Sequence, residues 1–431
     1  MAEVAREMLA SGRWLVPELN ARVRLQKPPL AYWAVASSYR ALGRIDETSA
    51  RIPSALCALA TVLLASVLAG RLFGPGAGFL AGVMLATTRI FLQQARRAET
   101  DVPLTLFVTL AILAFDRGFR EGRAPWRAVF FLAMGLAFMM KGVPGVAIPL
   151  VAAVAWLLWE GRGRALLRPS FPAGLLLTAI VVLPWYAYVW KLHPDAGATF
   201  QAETLQRMTA EAPHAEPFFY YLYRVPVDLL PWIALLPAAW AALRADAAAW
   251  RAARLPIAWF LGGLAFLTAL TGKQPHYLVP LAPPLAILCA GGVDRAIRSR
   301  RRRWIAPRPL AAMLAAAVVA ELAFVTLAEP RWFARRSPRE VCAEAGRLVG
   351  GAPLVLYGFD DSTCVFYMRR TATVVMNDAS LRRALAQSPG AWVLARRGKE
   401  GASLLRDRRE VWRGESDKRA LVLLAPRAAV R

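Results

Sequence analysis

Ten apolar stretches follow one another between Pro53 and Leu327, and this succession constrains the fold more than any other feature. A helix that crosses a bilayer needs about 20 predominantly apolar residues. The stretches are 53–70, 75–93, 102–115, 127–140, 143–159, 172–190, 225–243, 255–271, 276–293 and 309–327, and several fall short of that ideal length. Many contain proline, which membrane helices tolerate where neighbours re-satisfy the freed backbone groups. With 57% hydrophobic and 19% charged residues, the chain is excluded from the disordered, collagenous and disulfide-dense secreted classes. The expected fold class is an α-helical multi-pass membrane protein with a small C-terminal soluble α/β domain.

The net charge of +25 would suggest a nucleic-acid partner in a soluble protein. Here its placement decides otherwise. One set of alternate loops, containing Arg71, Arg117–Arg127, Arg162–Arg168, Arg244–Arg254 and Arg295–Arg308, carries eighteen Arg and no Lys, whereas the other set carries seven Arg and Lys. Cationic residues concentrate in cytoplasmic loops, so the first set is read as cytoplasmic. No nucleic-acid partner is expected. With ten spans, both the 52 N-terminal residues and the C-terminal tail then lie outside. No signal peptide opens the chain, and an outside N-terminus without one suggests a further helix upstream of Met1.

Three regions are expected: an external juxtamembrane region over 1–52, a membrane domain over 53–330 and an external α/β domain over 331–431. In the tail, helical patterns at 338–349 and 379–387 alternate with strand-like runs at 353–357, 371–376, 391–395 and 420–425. Cys342 and Cys364 both fall there. From sequence alone a disulfide and two free thiols are equally open, because spacing does not place their Cα atoms within reach.

Chemistry-bearing residues gather on the external side. Lys27, before the rigid Pro28–Pro29 pair, suits a phosphate, or simply snorkels at the interface beside Tyr32 and Trp33. Asp101 suits a general base or its orienting partner, and equally suits an N-cap for the helix that follows. Lys141, in Met139–Gly145, lies beside Gly and Pro at a helix junction. It suits an anion, or is an interfacial lysine in a tight turn. The aromatic run Phe218–Tyr223 is first an interface anchor. Lys273, His276 and Tyr277 cluster at another outer edge. Four of the six lysines are external, and together they suggest a site for a phosphate-bearing lipid head. Neither a Walker-type loop nor HExxH, CxxC or paired-His spacing occurs.

These segments, AREMLASGRWLVPELN (Ala5–Asn20), KPPLAYW (Lys27–Trp33), SARIPSAL (Ser49–Leu56), ARRAETD (Ala95–Asp101), MMKGVPG, PWY (Pro184–Tyr186), HAEPFFYYL (His214–Leu222) and KQPHYLVPLAPP (Lys273–Pro284), resemble in order and spacing the GT-C glycosyltransferases that use polyprenyl-phosphate sugars. The resemblance is to the group of lipid A aminoarabinose transferases and dolichyl-phosphate-mannose–protein mannosyltransferase-like proteins. It covers residues 1–330 and loosely the tail. It implies transfer of a sugar, with inversion, from an undecaprenyl-phosphate-type donor to a hydroxyl of a lipid, glycan or protein acceptor. The setting would be the outer face of a bacterial inner membrane, among membrane lipids. Carried over residue by residue, Asp101 matches the acid after the family's Ala-Arg stretch and is the catalytic candidate within this sequence, whereas the family's best general-base candidate is the aspartate of an Asp-Glu pair that this sequence does not contain. Lys27, Arg207, Lys273 and Tyr277 match family positions and, with Lys141 from the external lysine cluster, are the candidates for the lipid phosphate.

The chain also departs from the pattern. The family's Asp-Glu pair precedes the AREM segment and is not in this sequence. Gln26 and Thr204 stand where aminoarabinose transferases carry an acid and a histidine. These substitutions argue against that specific activity and remove potential metal ligands. The expectation is therefore no cofactor, with a divalent metal open but disfavoured. Two competing readings remain: a catalytically impaired chain that only binds lipid phosphate, and a transporter. The second is opposed by the scarcity of charge at mid-depth in the spans.

Overall fold

A computed structural model describes residues 1–198, 214–299, 307–328, 331, 337–398, 403–416 and 419–426. Two compact units emerge. The first comprises Met1, Arg13–Val16 and Arg24–Glu321.

Among the described residues of this unit, six helices are long and apolar enough to cross a membrane: Glu47–Phe73, Asp101–Arg120, Ala124–Lys141, Ser170–Leu192, Ala247–Ala269 and Pro275–Arg298. Two further helix pairs are long and apolar enough only when taken together and are sharply bent, Pro75–Ala86 with Arg89–Ala95 (65°) and Tyr220–Asp228 with Trp232–Arg244 (97°). The stretches 143–159 and 309–327 appear as the shorter helix Pro144–Trp159 and a helical run ending at Ala328. Each apolar stretch is thus helical, but sequence alone does not show the two sharp bends. Thr87 and Thr88 turn their hydroxyls onto the carbonyls of Val83 and Met84, both at 2.7 Å, a back-bonding that weakens a helix. The two breaks then hold each other. Arg89 donates its backbone N–H to Leu230 O at 3.1 Å, and Trp232 Nε1 donates to Thr87 Oγ1 at 2.9 Å. The freed backbone is satisfied between bent helices, as a bilayer interior requires.

The outer faces are apolar. Leu56, Leu59, Leu63 and Val67 recur at helical spacing along Glu47–Phe73, and all are exposed. Such a stripe suits lipid better than water. Inside, Phe115, Phe119, Phe130, Phe131 and Phe171 interlock with ring centroids 4.9 to 6.4 Å apart. This cluster packs one end of the bundle, where buried Asp116 is bridged by Arg71 and Arg120. Asp101 opens the same helix at its opposite end.

The second unit comprises Ala2–Gly12, Pro17–Val23 and Leu322–Arg431. Its five-stranded sheet runs in the order Thr373–Val375, Leu354–Tyr357, Trp392–Arg396, Arg419–Pro426, Arg408–Ser416. The first three strands are parallel and the last two pair antiparallel. All four residues of Leu354–Tyr357 are buried, as expected of a parallel strand covered on both faces. Cys342 and Cys364 form a disulfide between helices Arg339–Val349 and Ser362–Met368. With the cysteines separated by 22 positions in the chain, replacing both by serine is expected to destabilise this unit by about 2–4 kcal/mol. Limited proteolysis of the full chain would report the loss as earlier cleavage in 337–398.

Residues 1–52 divide between the two units rather than standing as one region. A hairpin pairs Glu18 with Val23 through Asn20 and Ala21, which both have positive φ (56° and 59°), the two-residue turn that suits strand twist. Glu7 accepts both turn N–H groups, at 2.6 and 3.0 Å. The Asn20 amide pairs reciprocally with the backbone of Ala372, accepting its N–H at 2.6 Å. Burial pushes the Glu3 carboxyl above its usual 4.5, against the lowering effect of Arg6. A raised folded-state value favours the protonated folded form. The resulting stabilisation is full below about pH 4.5 and is lost as pH rises through the raised value. Glu3→Gln is expected to flatten the melting temperature of the full chain between about pH 4.5 and neutrality.

Candidate functional site

The backbone junction Met139–Gly145 is built around two glycines. Gly142 has a φ of +82°, open to glycine and strained for other residues. Gly145 packs so closely that a Cβ there would fall 2.2 Å from the Ala137 carbonyl carbon. The junction therefore turns tightly, leaving Lys141 as the last residue of Ala124–Lys141 and starting the next helix at Pro144.

The Lys141 ammonium forms an ion pair with Asp101 Oδ1, with both side chains buried. It also lies 4.4 Å from the centroid of the Tyr277 ring. Asp101 is the first residue of its helix, and the cap residue Thr100 makes no side-chain capping bond. The Asp101 carboxylate is thus spent on Lys141 rather than on helix capping. Its second oxygen, Oδ2, faces His276 Nε2 at 4.0 Å. Glu99 completes a group of three in which donor atoms from Glu99, Asp101 and His276 all lie within 4.8 Å of one another. Among the described residues, these are the ones placed to hold a metal.

Lys27, Asp101, Lys141 and Tyr277 line a single cavity of about 230 Å³. Gln26, Tyr186 and the apolar side chains Leu25, Leu104, Phe138, Ile148, Phe266, Leu267 and Leu270 complete much of the wall. A concave, largely apolar wall with a few convergent charges is the usual form of a ligand site. Two ammonium groups at an apolar wall suit an anion carried on a greasy chain.

Lys273 is not part of that lining. It is buried, and its ammonium donates to the Glu216 carbonyl at 3.0 Å. Its backbone N–H donates to His214 O at 3.0 Å, and Glu216 N donates to Thr271 O. Lys273 therefore ties 214–216 to 271–273. Burial lowers its pKa from 10.5, and Glu216 opposes that shift. Arg207 lies outside the described residues. Tyr186 was not singled out from the sequence, although the PWY motif contains it. His276 was seen as part of an outer-edge cluster, but its approach to Asp101, 175 positions away in the chain, leaves no local signal.

Comparison with known proteins fits this geometry. Residues 26–188 match the model of the family described as dolichyl-phosphate-mannose-protein mannosyltransferase. An undecaprenyl phosphate-alpha-4-amino-4-deoxy-L-arabinose arabinosyl transferase of Pseudomonas fluorescens (strain Pf0-1) is 30% identical over 342 residues, which span 76% of this chain and 61% of the relative. The like-named protein of Edwardsiella ictaluri is 32% identical over 307 residues, spanning 68% of this chain and 54% of the relative. The chain thus spans little more than half the length of these relatives. The crystal structure of ArnT from Cupriavidus metallidurans bound to undecaprenyl phosphate superposes with a TM-score of 0.80 at 22% identity, covering 98% of this chain and 92% of that one. The archaeal oligosaccharyltransferase AglB from Archaeoglobus fulgidus shares the fold more distantly, with a TM-score of 0.54 at 11% identity, covering 93% of this chain and 65% of that one.

Proposed function

Because the chain belongs to the GT-C family of aminoarabinose-transferase and mannosyltransferase-like proteins, we propose that it transfers a sugar from a polyprenyl-phosphate donor to an acceptor hydroxyl. The observation that carries this reading is the cavity in which Lys27 and the Lys141–Asp101 pair meet an apolar wall. The acceptor oxygen attacks the anomeric carbon from the face opposite the phosphate. The C–O bond to the phosphate breaks, and the configuration inverts. Lys27 and Lys141 stabilise the charge that grows on the departing polyprenyl phosphate. Asp101 has one oxygen committed to Lys141, and Oδ2 remains to accept the acceptor's proton. Asp101 also fixes the Lys141 ammonium, so it acts as both base and positioning residue. Tyr277 presents its ring face to the same ammonium.

The reaction takes place at the outer face of a bacterial inner membrane, with the C-terminal unit on the periplasmic side. The Arg distribution between alternate loops and the Cys342–Cys364 disulfide both support this orientation. The acceptor is a hydroxyl compound of the envelope: lipid, glycan or protein. The test is single-turnover transfer by the purified full chain in lipid nanodiscs, with a radiolabelled undecaprenyl-phosphate sugar and envelope lipids, glycans and proteins as acceptors. Label moving to an acceptor, with release of undecaprenyl phosphate, is the expected result. Donor that binds and is never consumed would reduce the role to lipid-phosphate binding.

A further inference from the structure

We propose that Lys273 is a positioning residue: it latches the turn that carries Tyr277 and so sets the Tyr277 ring against the Lys141 ammonium at the cavity. Its effect on rate rests on the transfer reading, whereas the latch itself rests on hydrogen-bond geometry.

The segments 214–216 and 271–273 run antiparallel, bridged at Ala215 and Gly272. Glu216 N donates to Thr271 O at 3.1 Å, and Lys273 N donates to His214 O at 3.0 Å. These main-chain bonds close the bridge with any side chain at 273 except proline. The ammonium is therefore not needed to form it. Burying an ammonium is costly, yet Lys273 is only 3% exposed, and its Nζ turns back to donate to Glu216 O at 3.0 Å. That further bond makes one piece of the two segments.

The piece is joined to Tyr277 with little slack. Gln274 is extended, with φ −140° and ψ 150°, as favoured for the residue before a proline. Pro275 then holds its own φ near about −65°. The Gln274 carbonyl accepts two bonds, from the Tyr277 backbone N–H at 3.1 Å and from the hydroxyl of buried Tyr221 at 3.3 Å. Beyond Tyr277, the turn Pro275–Leu281 is anchored by Leu278, Val279 and Leu281, all fully buried. Tyr277 thus stands between that anchor and the latch. Its ring centroid lies 4.4 Å from Lys141 Nζ, and both residues line the cavity. A cation–π contact depends on the cation staying over the ring face. Releasing the latch lets the near half of the turn shift, and the ring moves off the ammonium that faces the phosphate.

The test reads the position of Tyr277 directly. 3-Fluorotyrosine is placed at position 277 of the full chain in nanodiscs, and its fluorine resonance is recorded with no donor lipid present. Lys273→Met keeps the length of the side chain and removes its donor, and it is expected to shift or broaden that resonance. The same label at Tyr357, in the other unit, should not respond. Thermal melts check folding. If Lys273→Met does not fold, Lys273→Gln, uncharged and one bond shorter, decides in its place. An unchanged resonance at 277 in the folded variant would overturn the proposal. Single-turnover transfer supplies the second readout. Lys273→Met should slow transfer by about tenfold or more, since small misplacements near a reacting centre are expensive. In a Tyr277→Leu background the same change should slow it by less than about twofold, because residues that act through one another are not additive. Losses that simply add would make Lys273 a structural tie alone and would equally overturn the proposal. A wild-type chain that transfers no sugar would count against the transferase reading only, because the fluorine resonance still decides the latch.

Discussion

Lys27→Ala is expected to slow sugar transfer by about a hundredfold or more while leaving the membrane unit folded. The residue lines the cavity and is only partly exposed, so its charge acts where the local dielectric is low. Removing one preorganised donor aimed at a developing anion typically costs about 10²–10³ in rate. The fold should survive because the loop is held by other groups. Trp33 donates its indole N–H to Trp14 O at 2.6 Å, and its backbone N–H reaches Pro29 O at 2.9 Å. Pro28 and Pro29 are buried and restrict the backbone just before helix Leu30–Leu42. Lys27→Arg should recover part of the rate, since charge returns while the compact ammonium becomes a broad planar fork. The decisive quantities are single-turnover rate and melting temperature measured on the same preparations. An unchanged rate in a folded Lys27→Ala chain would remove Lys27 from the site.

Much of this architecture is legible in the sequence because bilayer and core impose strong patterns. Each apolar run became helix, and the tail strands at 353–357, 391–395 and 420–425 appear at Leu354–Tyr357, Trp392–Arg396 and Arg419–Pro426. Strand Arg408–Ser416 escaped notice because it lies at the sheet edge and carries Arg408, Arg409, Glu410, Arg413 and Glu415. Charge protects an edge strand from further pairing and hides its pattern at once. The hairpin around Asn20 was equally invisible as part of the C-terminal unit, since its bond to Ala372 spans 352 positions. The candidate site follows the same division. Lysines beside Gly and Pro at outer helix ends were readable one by one, and Lys27, Lys141, Asp101 and Tyr277 do share a cavity. Lys273 satisfied the same pattern, yet its ammonium serves the Glu216 carbonyl. Local sequence reports which residues stand at a helix end. It does not report which partner, tens or hundreds of positions away, consumes the charge.

Lys141→Met is expected to be among the most destabilising single changes in the membrane unit, and Asp101→Asn on the same background should largely reverse it. The two side chains are 7% and 3% exposed, and they form an ion pair between helices whose ends are 40 positions apart. Removing the ammonium alone leaves a carboxylate buried without its counter-charge, at a cost of about 3–5 kcal/mol. Replacing both partners by neutral groups removes the uncompensated charge, and such replacements are often neutral or stabilising in buried pairs. The double variant Asp101→Asn/Lys141→Met should therefore melt near the wild-type temperature, whereas Lys141→Met melts well below it. The Tyr277 ring, 4.4 Å from the ammonium, contributes a smaller share, about 0.5–2 kcal/mol. Tyr277→Phe keeps the ring face and should leave stability close to wild type. Activity should separate from stability across the series. The double variant regains the fold but has lost one phosphate-facing cation and the carboxylate of the cavity, so its transfer rate should stay at least as low as that of Lys141→Met. Recovery of both quantities together would mean that the buried pair serves the fold alone and that the chemistry rests on other residues. Recovery of stability without rate would assign the pair to the reaction, with Asp101 holding the Lys141 ammonium where the leaving phosphate gathers charge.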